Sequence, residues 1–251
     1  MKPLIAGNWK MNTLRREAAA LAAEVAQGLG ARHDEAEVAL FPPYTALPAV
    51  VEAVRGTEVT VGAQDLHPED GGAHTGEVSG PMLLDVGATR VIVGHSERRH
   101  ELGEHDEWIR RKLAAALRHD ILPILCVGET REEREAGRTF EVVERQVRAG
   151  LEGVGAARAP EVTVAYEPVW AIGTGLTATP GEAAQVHAGI HALLQELWGA
   201  EGAGVRVLYG GSVKPENARD LMERPEIQGA LVGGASLQAP SFCAIVRAAG
   251  R

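Results

Sequence analysis

Eight short stretches of nearly unbroken apolar residues recur along the chain: Leu4 to Trp9, Glu37 to Phe41, Val59 to Ala63, Arg90 to Gly94, Ile121 to Val127, Val162 to Glu167, Val205 to Gly210 and Gly229 to Val232. Runs this short that are apolar almost throughout suit strands buried on both faces. The segments between them carry helical spacing and helix punctuation. Thr13 is placed to cap a helix whose apolar face holds Ala18, Leu21, Ala22 and Val25 and which ends near Gly28 and Gly30. Asp106 is placed to cap Trp108 to His119, and Thr139 to cap Phe140 to Leu151. In Thr179-Pro180-Gly181-Glu182 the signal is strongest, with a capping residue, Pro at the first helical position and Glu three residues after the cap, predicting a helix to about Leu197.

Eight strands alternating with helices fit either a closed parallel (β/α)8 barrel or an open doubly wound sheet. Polar or glycine-rich residues follow nearly every strand, so chemistry would converge from all round a ring, which favours the barrel. The Gly-x-Gly-x-x-Gly fingerprint of a dinucleotide site does not follow the first strand. With no linker, low-complexity tract or break in composition, residues 1–251 are expected to form one domain.

Composition narrows the function. Apolar residues make up 45% and charged residues 24%, enough for a core. A net charge of −9 argues against nucleic-acid or acidic-membrane partners, so attraction of an anionic substrate must be local. Only four of the 25 basic residues are lysines (Lys2, Lys10, Lys112, Lys214), which makes each Lys informative. Two distant cysteines, Cys126 and Cys243, suit a reducing compartment, and Cys126 reads first as a buried apolar residue. No apolar run reaches membrane-spanning length and the amino end is too polar for a signal peptide; the expected location is the cytoplasm.

The candidate chemistry sits where strands end. Glu167 closes the sixth run and passes into Pro168-Val169-Trp170-Ala171-Ile172-Gly173-Thr174-Gly175. This segment has a stiff start, an apolar middle and flexible glycines, and reads as a lid over a general base, although an ordinary strand-to-helix loop has the same composition. After the first strand come Asn8 and Lys10, a compact positive charge at the barrel mouth. After the fourth comes Gly94-His95-Ser96-Glu97-Arg98-Arg99, where a helix start at Ser96 would keep the His95 imidazole neutral and able to donate a hydrogen bond. Glu97 is expected to orient Lys10 or the helix start. Gly210-Gly211-Ser212 and Gly233-Gly234 follow the seventh and eighth strands, where such barrels often hold phosphate; simple tight turns would look alike. Residues 64–77 are long for a plain connection and suggest an oligomer contact. His187 and His191 would share a helical face, but no third metal ligand is apparent.

These residues resemble the triosephosphate isomerase family. Asn8-Trp9-Lys10, Gly94-His95-Ser96-Glu97-Arg98-Arg99, residues 165–175, Tyr209-Gly210-Gly211-Ser212-Val213 and Gly233-Gly234-Ala235-Ser236 match its motifs in order and spacing. The resemblance implies a TIM barrel that interconverts dihydroxyacetone phosphate and D-glyceraldehyde 3-phosphate through an enediolate, without metal or organic cofactor. It implies that Glu167 is the base, His95 the electrophile and Lys10 a source of positive charge, with Asn8 a polar contact. Gly173, Ser212, Gly233 and Gly234 would hold the phosphate, with Ser96, Glu97 and Cys126 in support. It also implies a homodimer in which the loop around Thr75 reaches the neighbouring subunit. There His74 stands where the family commonly has Phe, which bears on the tightness or pH dependence of the dimer. Leu237-Gln238-Ala239-Pro240 replaces a common Lys-Pro pair after Ser236. An aldolase using Lys10 as a Schiff-base nucleophile and a non-enzymatic binding protein on the same fold are the alternatives.

Overall fold

The computed structural model describes residues 1–30, 34, 36–172 and 178–250. All eight apolar runs form strands: β1 (Leu4–Asn8), β2 (Glu37–Phe41), β3 (Thr60–Ala63), β4 (Arg90–Val93), β5 (Leu122–Val127), β6 (Thr163–Tyr166), β7 (Arg206–Tyr209) and β8 (Gly229–Val232). They pair in parallel in sequence order, and β8 returns to β1 with Leu4 opposite Gly229 and Gly7 opposite Val232, closing the barrel. The runs look apolar throughout because alternate residues feed two separate cores. Leu4, Ala6, Ala39, Phe41, Ile92, Ile124, Cys126, Ala165, Leu208 and Leu231 fill the barrel interior. Their neighbours, such as Ile5, Val38, Leu40, Val91, Val93 and Val164, pack outward against the helices.

Three helix starts differ from the sequence expectation. The first helix spans Arg15–Leu29 with Leu14 at its cap position, where Glu17 Oε2 accepts the Leu14 N–H at 2.8 Å. Thr13 is instead held at φ 73°, part of the sharp exit from β1. The fifth α-helix spans Asp106–Arg118 and is capped by His105, whose Nδ1 accepts the Trp108 N–H. Asp106 is occupied by Arg99, at 2.6 Å, and Arg145. Thr139 is the first residue of the Thr139–Leu151 helix, not its cap. The capping box at Thr179 and Glu182 forms as read, and opens the helix Pro180–Trp198.

The two ends of the barrel differ in kind. At the floor, Glu37 bridges Arg90 at 3.0 Å and Arg206 at 2.8 Å. The mouth, at the strands' C-terminal ends, is where the polar residues singled out above emerge. Beside it, residues 64–77 are pinned at their base rather than loose. Lys112, 1% exposed, donates to both oxygens of Asp65 at 2.8 and 2.7 Å, and burial pushes the Asp65 carboxyl up to about 6 against that attraction. Arg111 holds Glu69 at 2.7 Å, and Asp70 is held by Arg118 and His119. The tip with His74 and Thr75 is exposed, and the His74 ring lies 4.1 Å from that of His67.

Candidate active site

Glu167 directly follows β6, and its N–H still donates to Val127 O at 2.7 Å, so the backbone under the carboxylate is fixed by the sheet. The side chain is 2% exposed. Its Oε2 accepts the Ser96 N–H at 3.0 Å and its Oε1 the Ser96 hydroxyl at 3.3 Å, while Oε1 lies 3.1 Å from His95 Nε2. Two glycines leave room for this residue. A Cβ on Gly210 would lie 2.8 Å from Glu167 Cγ, and one on Gly128 would lie 1.7 Å from Glu167 O.

His95 occupies the cap position of the helix Ser96–His100, one residue ahead of the expected start, and its Nδ1 accepts the Glu97 N–H at 3.3 Å. With Nδ1 accepting that bond, Nε2, the nitrogen that faces Glu167, is the ring's donor toward the cleft.

Lys10 is held in the left-handed region at φ 51°. Such a conformation costs on the order of 1 kcal/mol for a non-glycine residue and persists only where neighbours determine it. Here Asn8 Oδ1 accepts the Lys10 N–H at 3.0 Å, and Gln64 Nε2 donates to Lys10 O at 2.8 Å and Phe41 O at 2.9 Å. The ammonium donates to Glu97 Oε1 at 2.6 Å. Cys126 is fully buried beneath the site, and burial first, then the Glu167 charge, push its thiol up.

These groups converge on one cleft of about 710 Å3, whose walls include Asn8, Lys10, His95, Glu97, Glu167, Ile172, Ser212, Gly233 and Gly234. Of the residues singled out from sequence, Gly173, Thr174 and Gly175 lie outside the described residues. Pro168 to Ile172 are described, and Val169–Ala171 form a 3-10 turn.

The sequence reading missed Glu129. It is fully buried, accepts the Tyr166 hydroxyl at 3.1 Å and Trp170 Nε1 at 3.0 Å, and has Arg134 Nη1 at 3.5 Å. Burial and then the Glu129 charge raise the Tyr166 phenol. A carboxylate two residues past the end of β5, at the same rim as Glu167, was the available signal. Gln64 was likewise passed over as part of a loop.

His187 and His191 do share a helical face, and both rings point at Glu226 O, at 3.2 and 3.0 Å. Among the described residues no group of three or more His, Cys, Asp or Glu is arranged to hold a metal. His187 is fully buried against Tyr166 and Tyr209, and burial lowers its imidazole from 6.5 to about 3. The unfolded chain therefore takes up a proton that the folded chain refuses. This contribution to stability is complete above about pH 6.5 and is lost as pH falls, with a slope of about 1.4 kcal/mol per pH unit between about pH 6 and pH 4. Urea unfolding of wild type and His187→Phe across that window should show a shallower fall in the variant; parallel curves would contradict this.

Fold and site together describe a (β/α)8 barrel of the enzyme type, with a carboxylate, an imidazole and an ammonium gathered at one cleft in its mouth. The comparisons narrow the class. A family model described as triosephosphate isomerase matches residues 3–249. Proteins named triosephosphate isomerase from Moorella thermoacetica and Chloroflexus aurantiacus are 56% and 54% identical, each over 245 residues; the first match covers 98% of both chains, the second 97% of this chain and 98% of the relative. The crystal structure of triosephosphate isomerase from Bartonella henselae superposes with a TM-score of 0.89 at 40% identity, covering 99% of each chain. The chain belongs to the triosephosphate isomerase family.

Proposed function

We propose that Glu167 is the general base and His95 the electrophile in the interconversion of dihydroxyacetone phosphate and D-glyceraldehyde 3-phosphate, the reaction of the family to which the chain belongs. The observation that carries this is the meeting of Glu167, His95 Nε2 and Lys10 at one cleft. Glu167 removes a proton from the carbon beside the carbonyl, and the negative charge that grows on oxygen is met by the His95 Nε2–H and the Lys10 ammonium. Returning the proton to the neighbouring carbon completes the isomerisation. To act, the carboxylate gives up its Ser96 donors and turns into the cleft.

Asn8 adds a polar contact, and Ser212, Gly233 and Gly234 offer backbone N–H groups for the phosphate, joined by Gly173 of the lid. The enediolate can also expel phosphate, so the segment 168–175 serves to grip it and exclude water. Lys10 as a Schiff-base nucleophile fits less well, since its nitrogen is engaged by Glu97 at 2.6 Å.

We further read residues 1–251 as one catalytic domain that works as a cytoplasmic homodimer. Both cysteines are free and buried, and no helix among the described residues is long and apolar enough to cross a membrane. Met11, Leu14, Tyr44, Met82 and Leu102 leave large apolar surface exposed, as an uncovered interface would, and His74 and Thr75 project at the exposed loop tip. Purified protein should turn over glyceraldehyde 3-phosphate in a coupled dehydrogenase assay and scatter light as twice the chain mass. A folded protein with no turnover would sink the catalytic reading; a monomer would sink the dimer alone.

A further inference from the structure

Gln146 stands on the helix Thr139–Leu151 and is the one polar side chain among that helix's buried residues, the others being Val142, Val143, Val147, Gly150 and Leu151. It is 4% exposed. Both of its polar atoms go to a single residue of the barrel: Oε1 accepts the Gly128 N–H at 2.7 Å, and Nε2 donates to Gly128 O at 3.2 Å. The helix lies close enough for this reach, since a Cβ on Gly150, one turn further along, would lie 2.7 Å from Leu125 Cδ2 of β5.

Gly128 is buried just past the end of β5, and the residues on either side of it carry the seam to β6 and the base. Val127 O accepts the Glu167 N–H at 2.7 Å, and Glu129 O accepts the Val169 N–H at 3.2 Å. In an extended chain successive residues bond to opposite sides, so the Gly128 N–H and C=O face away from β6, toward β4. By then β4 has ended. Its Val93 pairs with Leu125, and in that register the place beside Gly128 falls to Ser96, which opens a helix and gives its N–H to Glu167. Side chains stand in for the strand: Arg99 bridges Gly94 O at 2.9 Å and Cys126 O at 3.1 Å, and Gln146 takes Gly128.

We propose that Gln146 is a positioning residue for the proton transfer: its amide completes the ladder at the end of β5 and so fixes where Glu167 leaves β6. This rests on the reading of Glu167 as the general base. Without the amide the Gly128 N–H and C=O are buried and unpaired, and the chain around Gly128 must shift to satisfy them. Gly128 lies so close to Glu167 O that no Cβ fits between them, so the shift passes to the backbone under the carboxylate.

The test separates placing the base from merely holding the fold. Gln146→Met, equal in length and unable to make either bond, should lower kcat about tenfold with KM changed less than about twofold. Inorganic phosphate, a probe of the glycine loops after β7 and β8, should inhibit the variant as it does wild type. Val147→Ala, on the same buried helix face, should lower thermal stability and leave kcat unchanged. On the Glu167→Gln background, Gln146→Met should cost less than about twofold more, because residues that act through one another are not additive. Wild-type kcat in Gln146→Met, an equal loss of kcat in Val147→Ala, or a full tenfold further loss on the Glu167→Gln background would each overturn the assignment. Should Gln146→Met fail to fold, Gln146→Asn, whose amide stops one methylene short of Gly128, decides on the same readouts. Glu167→Gln alone keeps the two readings apart. Turnover near wild type in it refutes the base and this role together, whereas loss of turnover there with wild-type kcat in Gln146→Met refutes the role of Gln146 only.

Discussion

Glu167→Gln should lower kcat by roughly a thousandfold while the protein stays folded. The amide has the shape of the carboxylate but cannot take a proton from carbon. In the resting pose the two carboxylate oxygens receive the Ser96 N–H, the Ser96 hydroxyl and the His95 Nε2–H. One amide oxygen cannot serve all of these, so a donor is left facing an NH2 group, a local cost of about 1–3 kcal/mol that a barrel of this size tolerates. The separation of a large kinetic loss from a small structural one is the signature of a base. Steady-state kinetics beside thermal unfolding check it, and activity within tenfold of wild type would exclude the assignment.

Gly128→Ala should damage both stability and activity, although Gly128 touches no substrate. Its added methyl would lie 1.7 Å from Glu167 O, and β5 and β6 are held at this point by the bonds from Glu167 N to Val127 O and from Val169 N to Glu129 O. The strand ends must part, which carries the base and the start of the lid away from His95. Overpacking of this kind costs about 1–3 kcal/mol, and a misplacement of the base by about 1 Å costs on the order of a hundredfold in kcat. Urea unfolding and kinetics on the same preparation measure both; an unchanged kcat would mean that the site does not depend on this contact.

The barrel was legible because each strand is buried on both faces, which writes eight apolar runs into the sequence, and the structure ends those strands within about a residue of the expected places. The site was legible because Asn8, Lys10, His95 and Glu167 each stand at or just past a run, where a barrel places its mouth. Helix starts were less so. Thr13 carries capping chemistry, but the exit from β1 turns it left-handed, and Asp106 is claimed by Arg99 and Arg145 before it can cap. Glu129 and Arg134 were hidden for another reason. Glu129-Thr130-Arg131-Glu132-Glu133-Arg134-Glu135 has the composition of a solvated helix. What buries Glu129 arrives 37 and 41 residues later with Tyr166 and Trp170, so no local pattern reveals it.

The pairing of Leu4 with Gly229 also bears on how the molecule is made. A closed ring of strands in sequence order can add each strand to its predecessor as the chain lengthens, but the last seam joins the first strand to the eighth. A nascent chain leaving the ribosome therefore carries β1 with one edge bare until nearly all of the polypeptide has emerged. Exposed edges are where chains stick to one another, and long-range closure is slow. For a protein of this topology, the vulnerable interval in the cell is synthesis itself, and it ends when the carboxyl-terminal strand zips the ring shut.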